Sequence, residues 1–457
     1  MTRDRGRRTR LGVLVGAGGL ALAVAVPAGI ASTAPPVGAV SAAQPAGSSP
    51  ARALADAPPV GRPPVPDTAR PVGAAGTAPT AAGTAPTAAG TAPTAAAAPT
   101  RGPDSSASPS PKPSASIGKG EGTLQVLTFQ GHVEYGGTSS RANWVSSFEE
   151  DTGCRVVKLD RVRTGEEMAA KLLGNSYDVI SPPPDLAGLL IAERRVAPVE
   201  TALIEAYKHI PKRLRELPAL RREGKVYGIP YLWGVNQVIY ELGRPQGPEA
   251  LYTTSPVAIR DSPLSIADAA LALARTSPGL EVKDPFQLTA AQLDAAVKLL
   301  AERDGPDRVY WKDSIDVIRA LAAGSVRLAQ ALPYHRDLFQ RAGRPMKALD
   351  GAPMTGWVDS WMLAAKPASP NCAYKWLNWT SSAEAQRSAA AWTGLAPSNP
   401  EACTGRARRM CEVYRVRDDA WVRRVFFAAR PTRDCGGQGG ECTDYTDWTQ
   451  RWKNLVK

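Results

Sequence analysis

The chain has 457 residues, a formal net charge of +12, 41 Gly, 41 Pro and six Cys. The first 120 residues hold +7 of that charge, so residues 121–457 carry only +5, with no basic run interleaved with aromatics. This argues against a nucleic-acid partner, and residues 121–457 are long enough for one large domain or two lobes.

In chain order, MTRDRGRRTR is a basic start, and LGVLVGAGGLALAVAVPAGIASTA after it is apolar and small. A charged region, an apolar run and small residues at a cleavage point read as an export signal over residues 1–30. The run is also long enough to span a bilayer if left uncleaved, so a signal-anchor stays open. No Cys follows it to offer a lipid-attachment site, and Arg7-Arg8 is a weak twin-arginine pair. Residues 31–120 are Ala/Pro/Thr/Gly-rich, with a seven-residue repeat marked by Gly76, Gly83 and Gly90. Each repeat holds a Pro and no large apolar residue, which excludes a coiled coil. Such a segment buries too little surface to offset its ordering entropy, so the expectation is a disordered linker or tether.

From residue 121 on, strand and helix patterns alternate. TLQVLTF (123–129), CRVVKLDRV (154–162) and YDVISPP (177–183) read as strands. ANWVSSFEEDTG (142–153), GEEMAAKLLGN (165–175) and DLAGLLIAERR (185–195) read as helices. That alternation predicts α/β architecture with mainly parallel sheets flanked by helices. Ligands in such folds bind at the carboxyl ends of strands, here GHVEYGG (131–137) and SPPPD (181–185). GKVYGIPYLWGVNQVIY (224–240) reads as a strand crossing between lobes. Helical stretches follow at 265–276, 289–304 and 314–324, then VRLAQALPY (326–334) as a strand running into a turn. Residues 372–392 read as a helix or helix pair.

All six cysteines fall after residue 121: Cys154, Cys372, Cys403, Cys411, Cys435 and Cys442. An even count behind an export signal favours disulfides. Fifteen pairings are open; the most economical joins Cys403 to Cys411, Cys435 to Cys442 and Cys154 to Cys372. No CxxC occurs and His132, His209 and His335 are scattered, so no metal site is indicated. There is no GxSxG, no GxxxxGK[ST] and no Ser-His-Asp arrangement, so no catalytic residue and no cofactor are expected. A glycosidase-like pair of carboxylates meeting across a cleft stays open as the enzyme alternative.

The stretch GAPMTGWVDSWMLAAKPA (351–368) places Trp357, Asp359 and Trp361 at alternate positions, on one face of a strand. It reads either as a core strand or as a box for a positively charged ligand; Trp361 reads as core.

The blocks WVSSFEEDTGCRV (144–156), YDVIS (177–181), GKVYGIPYLWGVNQVIY, RDSPLSIADAAL (260–271), TGWVDSWML (355–363), PNCAYKWLNW (370–379) and LAPSNPEAC (395–403) stand in an order that resembles the extracellular solute-binding proteins of ABC importers, of the spermidine/putrescine type. The resemblance implies a two-lobed periplasmic-binding-protein-like fold (type II) that closes on its ligand like a hinge. Lobe 1 is expected at about 121–230 plus 357–395, lobe 2 at about 231–356, and a C-terminal disulfide-bearing segment at about 396–457. It implies an exported protein, extracellular or periplasmic, that captures a small cationic, polyamine-like solute for a membrane permease, without catalysis and as a monomer. Trp357 and Asp359 fall on the family's W-x-D pattern, an indole wall and a carboxylate for an ammonium.

Tyr135 fits the first cleft loop, where His132 stands in place of the family's Trp. The loop after YDV offers Ser181 and Asp185, and the second lobe offers Asp261. Trp233 and Tyr334 lie in segments that face the cleft, while His335 reads as a surface or turn residue. These are fewer acids than the family's pattern supplies. A surface protein whose cleft has become a contact site is a further alternative, suggested by Pro182–Pro184.

Overall fold

The computed structural model describes residues 116–136, 143–241, 243–435 and 440–456. The expected export segment (1–30) and the linker up to residue 115 lie outside the described residues, as does most of GGQGG (436–440). Among the described residues no helix is long and apolar enough to cross a membrane.

Two mixed sheets organise these residues. In the first, Thr123–Phe129 pairs in parallel with Arg155–Val162 and Val179–Ile180, burying Leu124, Val126 and Leu127. Helix Val145–Thr152 ends because Gly153 adopts a left-handed φ of 68° and returns its N–H to the Glu149 carbonyl at 2.9 Å. Helix Gly165–Gly174 begins where the Thr164 hydroxyl accepts the Glu167 N–H, with Glu166 and Glu167 in the positive first turn. The expected strand over YDVISPP is only Val179–Ile180, because the following prolines cannot donate to a ladder. Pro184 instead opens helix Pro184–Ala192 at a position where its missing N–H costs nothing.

The chain leaves this sheet along Gly228–Val235. After Asn236 it enters the second sheet as Gln237–Tyr240. The second sheet runs Arg308–Trp311, Val257–Arg260, Leu328–Ala331, Gln237–Tyr240, Lys347–Ala348. Its helices Ile266–Thr276, Ala290–Ala301 and Ser314–Ala322 match the expected ones; Thr289 with Gln292 and Asp313 with Asp316 form capping boxes on the last two.

One expectation is corrected here. The turn expected at Pro333 is the start of helix Pro333–Arg341, because the His335 ring reaches back to accept the Leu332 N–H at 3.2 Å. His335 is fully buried rather than at a surface or turn, and burial pushes its pKa down to about 3.

The chain returns to the first sheet as Met354–Ala364, antiparallel to Gly228–Val235. Helices Pro370–Ser381 and Ala383–Thr393 cover that sheet. Strand Val425–Phe427 then adds in parallel to Met354–Gly356, and helix Tyr445–Leu455 packs its Trp448 and Trp452 into the second half's apolar core. The pairing is therefore parallel where strands and helices alternate and antiparallel where the chain crosses. Three disulfides close the structure: Cys154–Cys372, Cys403–Cys411 and Cys435–Cys442.

Candidate functional site

Between the two sheets lies a cavity of about 520 Å³. Its first wall is the loop Phe129–Glu134 with Pro183–Asp185, at the carboxyl ends of first-sheet strands. Its second wall is Arg260 with Trp311–Lys312, at the carboxyl ends of second-sheet strands. The crossing strand supplies Thr355, Trp357 and Asp359 as the floor, and Ala428 of the C-terminal segment completes it. Strand ends are where backbone pairing stops and side chains are free to meet a ligand.

Trp357 and Asp359 share a face, as alternation requires, and the Trp357 indole N–H donates to Asp359 Oδ2 at 3.3 Å. His132 Nε2 stands 3.4 Å from the same oxygen, and Asp359 is almost fully buried. Four expected site residues thus line the cavity: Trp357, Asp359, His132 and Asp185. Burial pushes the Asp185 carboxyl up, opposed by a hydrogen bond from Tyr445 and by the charge of Arg430.

The other five lie elsewhere, each for a visible reason. Tyr135 turns away to donate its hydroxyl to Glu149 at 2.9 Å. Ser181 is fully buried under the first strand, its N–H on the Leu127 carbonyl. Trp233 is 1 % exposed, packed against Tyr414, Trp421 and Phe427, with its indole N–H on the Pro397 carbonyl at 3.0 Å. Asp261 accepts the Trp452 indole N–H at 2.8 Å and pairs with Lys312 at 3.4 Å, which leaves Lys312 rather than the acid on the wall. Tyr334 packs against Gly394 and His335. Trp361 is core, between Tyr231 and Trp376.

Arg260 went unread in the sequence. It ends strand Val257–Arg260, and its guanidinium lies 4.2 Å from the Trp357 ring centroid and 5.8 Å from that of Trp311. The indole face expected to meet a ligand's ammonium is thus taken by the protein's own cation. Burial lowers the Arg260 pKa; the carboxylates of Asp359, Asp268 and Asp185 pull the other way, and a guanidinium stays charged throughout. Behind it, burial pushes Asp268 up to about 7, against hydrogen bonds from Thr355 and Asn236 and the charge of Arg260. The one signal that points to Arg260 is its place at the carboxyl end of a VAIR strand, next to the Asp261 that drew attention.

No family model matches the chain. Solved structures do share its architecture. The spermidine/putrescine substrate-binding protein PotD of Streptococcus pneumoniae superposes with a TM-score of 0.54 at 14% identity, over 73% of this chain and 99% of that one. The TpPotD lipoprotein of Treponema pallidum gives 0.55 at 14%, over 73% and 99%. An ABC transporter substrate-binding protein of Bradyrhizobium japonicum gives 0.54 at 15%, over 73% and 99%. The fold is that of the two-lobed periplasmic binding proteins. At this identity the likeness speaks for the fold, and the cavity falls between its lobes.

Proposed function

We propose that this chain is the solute-capturing receptor of an ABC importer, exported, binding a small polar solute between its lobes and handing it to a membrane permease. The observation that carries the reading is the interlobe cavity itself. It is roomy enough for a small ligand, is built at strand ends of both sheets, and has Trp357 and Asp359 on the crossing strand as its floor. In finer form, the solute presents an ammonium group to the carboxylates of Asp359, Asp185 and Glu134. Because Arg260 covers the Trp357 ring, that ammonium meets acids rather than an indole face.

The test is a thermal-shift screen of the full chain with putrescine, spermidine, amino acids and neutral sugars. A true ligand at 100 times its Kd stabilises the native state by about 2.7 kcal/mol through mass action. Asp359→Asn should abolish an amine-induced shift. The variant's unliganded melt should also fall, since Asp359 holds the Trp357 indole and neighbours His132. An amine-induced shift of unchanged size in Asp359→Asn would remove that carboxylate from the site.

A further inference from the structure

Resting on that receptor reading, we infer that the solute is amphoteric: besides an amine it carries a carboxylate, which sits on the in-plane edge of the Arg260 guanidinium. The backbone of Arg260 is held rigidly. Its N–H donates to Gln330 Oε1 at 2.8 Å, and its carbonyl accepts from the Ser265 hydroxyl at 2.8 Å. The guanidinium carbon lies over the Trp357 ring at 4.2 Å, with the Trp311 ring further off at 5.8 Å. A guanidinium presents five N–H donors in one plane and has no acceptor. Among the described residues, none of these donors makes a hydrogen bond, and no carboxylate lies within 4 Å of them.

The nearby acids are committed elsewhere. Asp268 accepts from Thr355 at 2.7 Å and Gln330 at 2.7 Å, and Asp359 from Trp357. Arg260 is therefore a cation on the cavity lining, close over one indole, with its hydrogen-bond donors unspent. A planar carboxylate matches their planar fork in bidentate geometry.

The wall charges agree. The cavity is lined by Glu134, Asp185 and Asp359 and by Arg163, Arg260 and Lys312. Glu134 is paired with Arg161 and Lys312 with Asp261, whereas Arg260 is not paired among the described residues. A lining of both signs suits a ligand that bears both. A second ammonium placed beside Arg260 would meet a like charge, where a carboxylate would meet an opposite one.

The experiment uses three pairs of probes that differ by one carboxylate: putrescine and ornithine, cadaverine and lysine, agmatine and arginine. Each is titrated calorimetrically into the full chain and into Arg260→Met and Arg260→Lys. The expected result is that at least one amino acid binds ten-fold or more tighter than its amine partner. Arg260→Met should erase that preference, and Arg260→Lys, which keeps the charge but not the fork, should retain part of it. Amines binding as well as their carboxylated partners would overturn the inference, as would a preference that survives in Arg260→Met. If all six are silent while a sugar stabilises the chain, the carboxylate falls and the receptor stands. If nothing in either panel binds, both fall.

Discussion

Gly234→Ala tests the floor of the cleft without touching a charged group. Gly234 sits directly opposite Trp357 in the antiparallel pair. A Cβ there would lie 2.4 Å from two carbons of the indole and 3.0 Å from a third. Ordinary carbon contacts fall at about 3.5–4 Å, so the ring would have to retreat by roughly 1 Å. Over-packing of this kind costs about 1–3 kcal/mol. Against it stands about 0.4–1 kcal/mol gained by restricting the unfolded chain, because Gly234 is not among the glycines with positive φ and its backbone accepts alanine. The net expectation is a loss of about 1–2 kcal/mol, with a changed near-ultraviolet tryptophan signal as Trp357 moves from Asp359 and Arg260. Urea unfolding of the two proteins side by side reads the first, and circular dichroism the second. Gly174→Ala is the control, since a Cβ there meets nothing within 4 Å; it should be neutral or stabilising. A Gly234→Ala protein as stable as its parent, with an unchanged spectrum, would show that the ring is not seated as described.

Further outcomes follow from the disulfides and the buried acids and bases. Replacing Cys154 and Cys372 by Ala opens a loop of 218 residues and should cost about 5 kcal/mol on a chain-entropy basis. The same change at Cys403 and Cys411, separated by 8, should cost about 2.5 kcal/mol; guanidinium unfolding that ranks the two in reverse order contradicts this. Asp268 has its folded pKa raised to about 7 from 3.8, so between those values the native state holds the extra proton. Its contribution to stability therefore falls as pH rises from about 4 to about 7 and is constant above, and Asp268→Asn should lose that slope in urea melts taken across the range. His335 acts with the opposite sign. Its pKa is lowered to about 3 from 6.5, so stability is lost as pH falls through that window, and His335→Gln should flatten the acid side of the profile.

Local pattern carried much of this architecture. TLQVLTF, the capped helix after Thr164 and the helix pair covering 372–392 form where periodicity, caps and turn residues placed them. Alternation also put Trp357 and Asp359 on one face. What local pattern could not supply was the partner on the other side of the cavity. Arg260 and Trp357 are far apart in the chain and belong to different sheets, so their stacking exists only once both lobes are assembled. The misplaced candidates share a physical cause. Tyr135, Trp233 and Asp261 each have a polar atom satisfied by a neighbour that sequence order does not reveal: Glu149, the Pro397 carbonyl and Trp452.

On the proposed reading, that assembly would tie recognition to the relation between the two sheets. Asn236 and Thr355 lie on the two crossing segments, and Asn236 Nδ2 donates to the Thr355 hydroxyl at 2.8 Å. The Asp268 carboxylate, on a second-lobe helix, accepts from both. Arg260 belongs to the second sheet, while Trp357 and Asp359 belong to the first, so the guanidinium stack is itself a contact between lobes. Separating the sheets at these crossings would forfeit that stack, on the order of 0.5–2 kcal/mol. It would also return the guanidinium to water, which weakens its pull on any anion. A ligand that bridges Arg260 and Asp359 restores both terms together. If the solute bridges Arg260 and Asp359 as proposed, the charges that hold it are the same ones that join the two sheets at the crossing, and a ligand engaging only one of them would gain less.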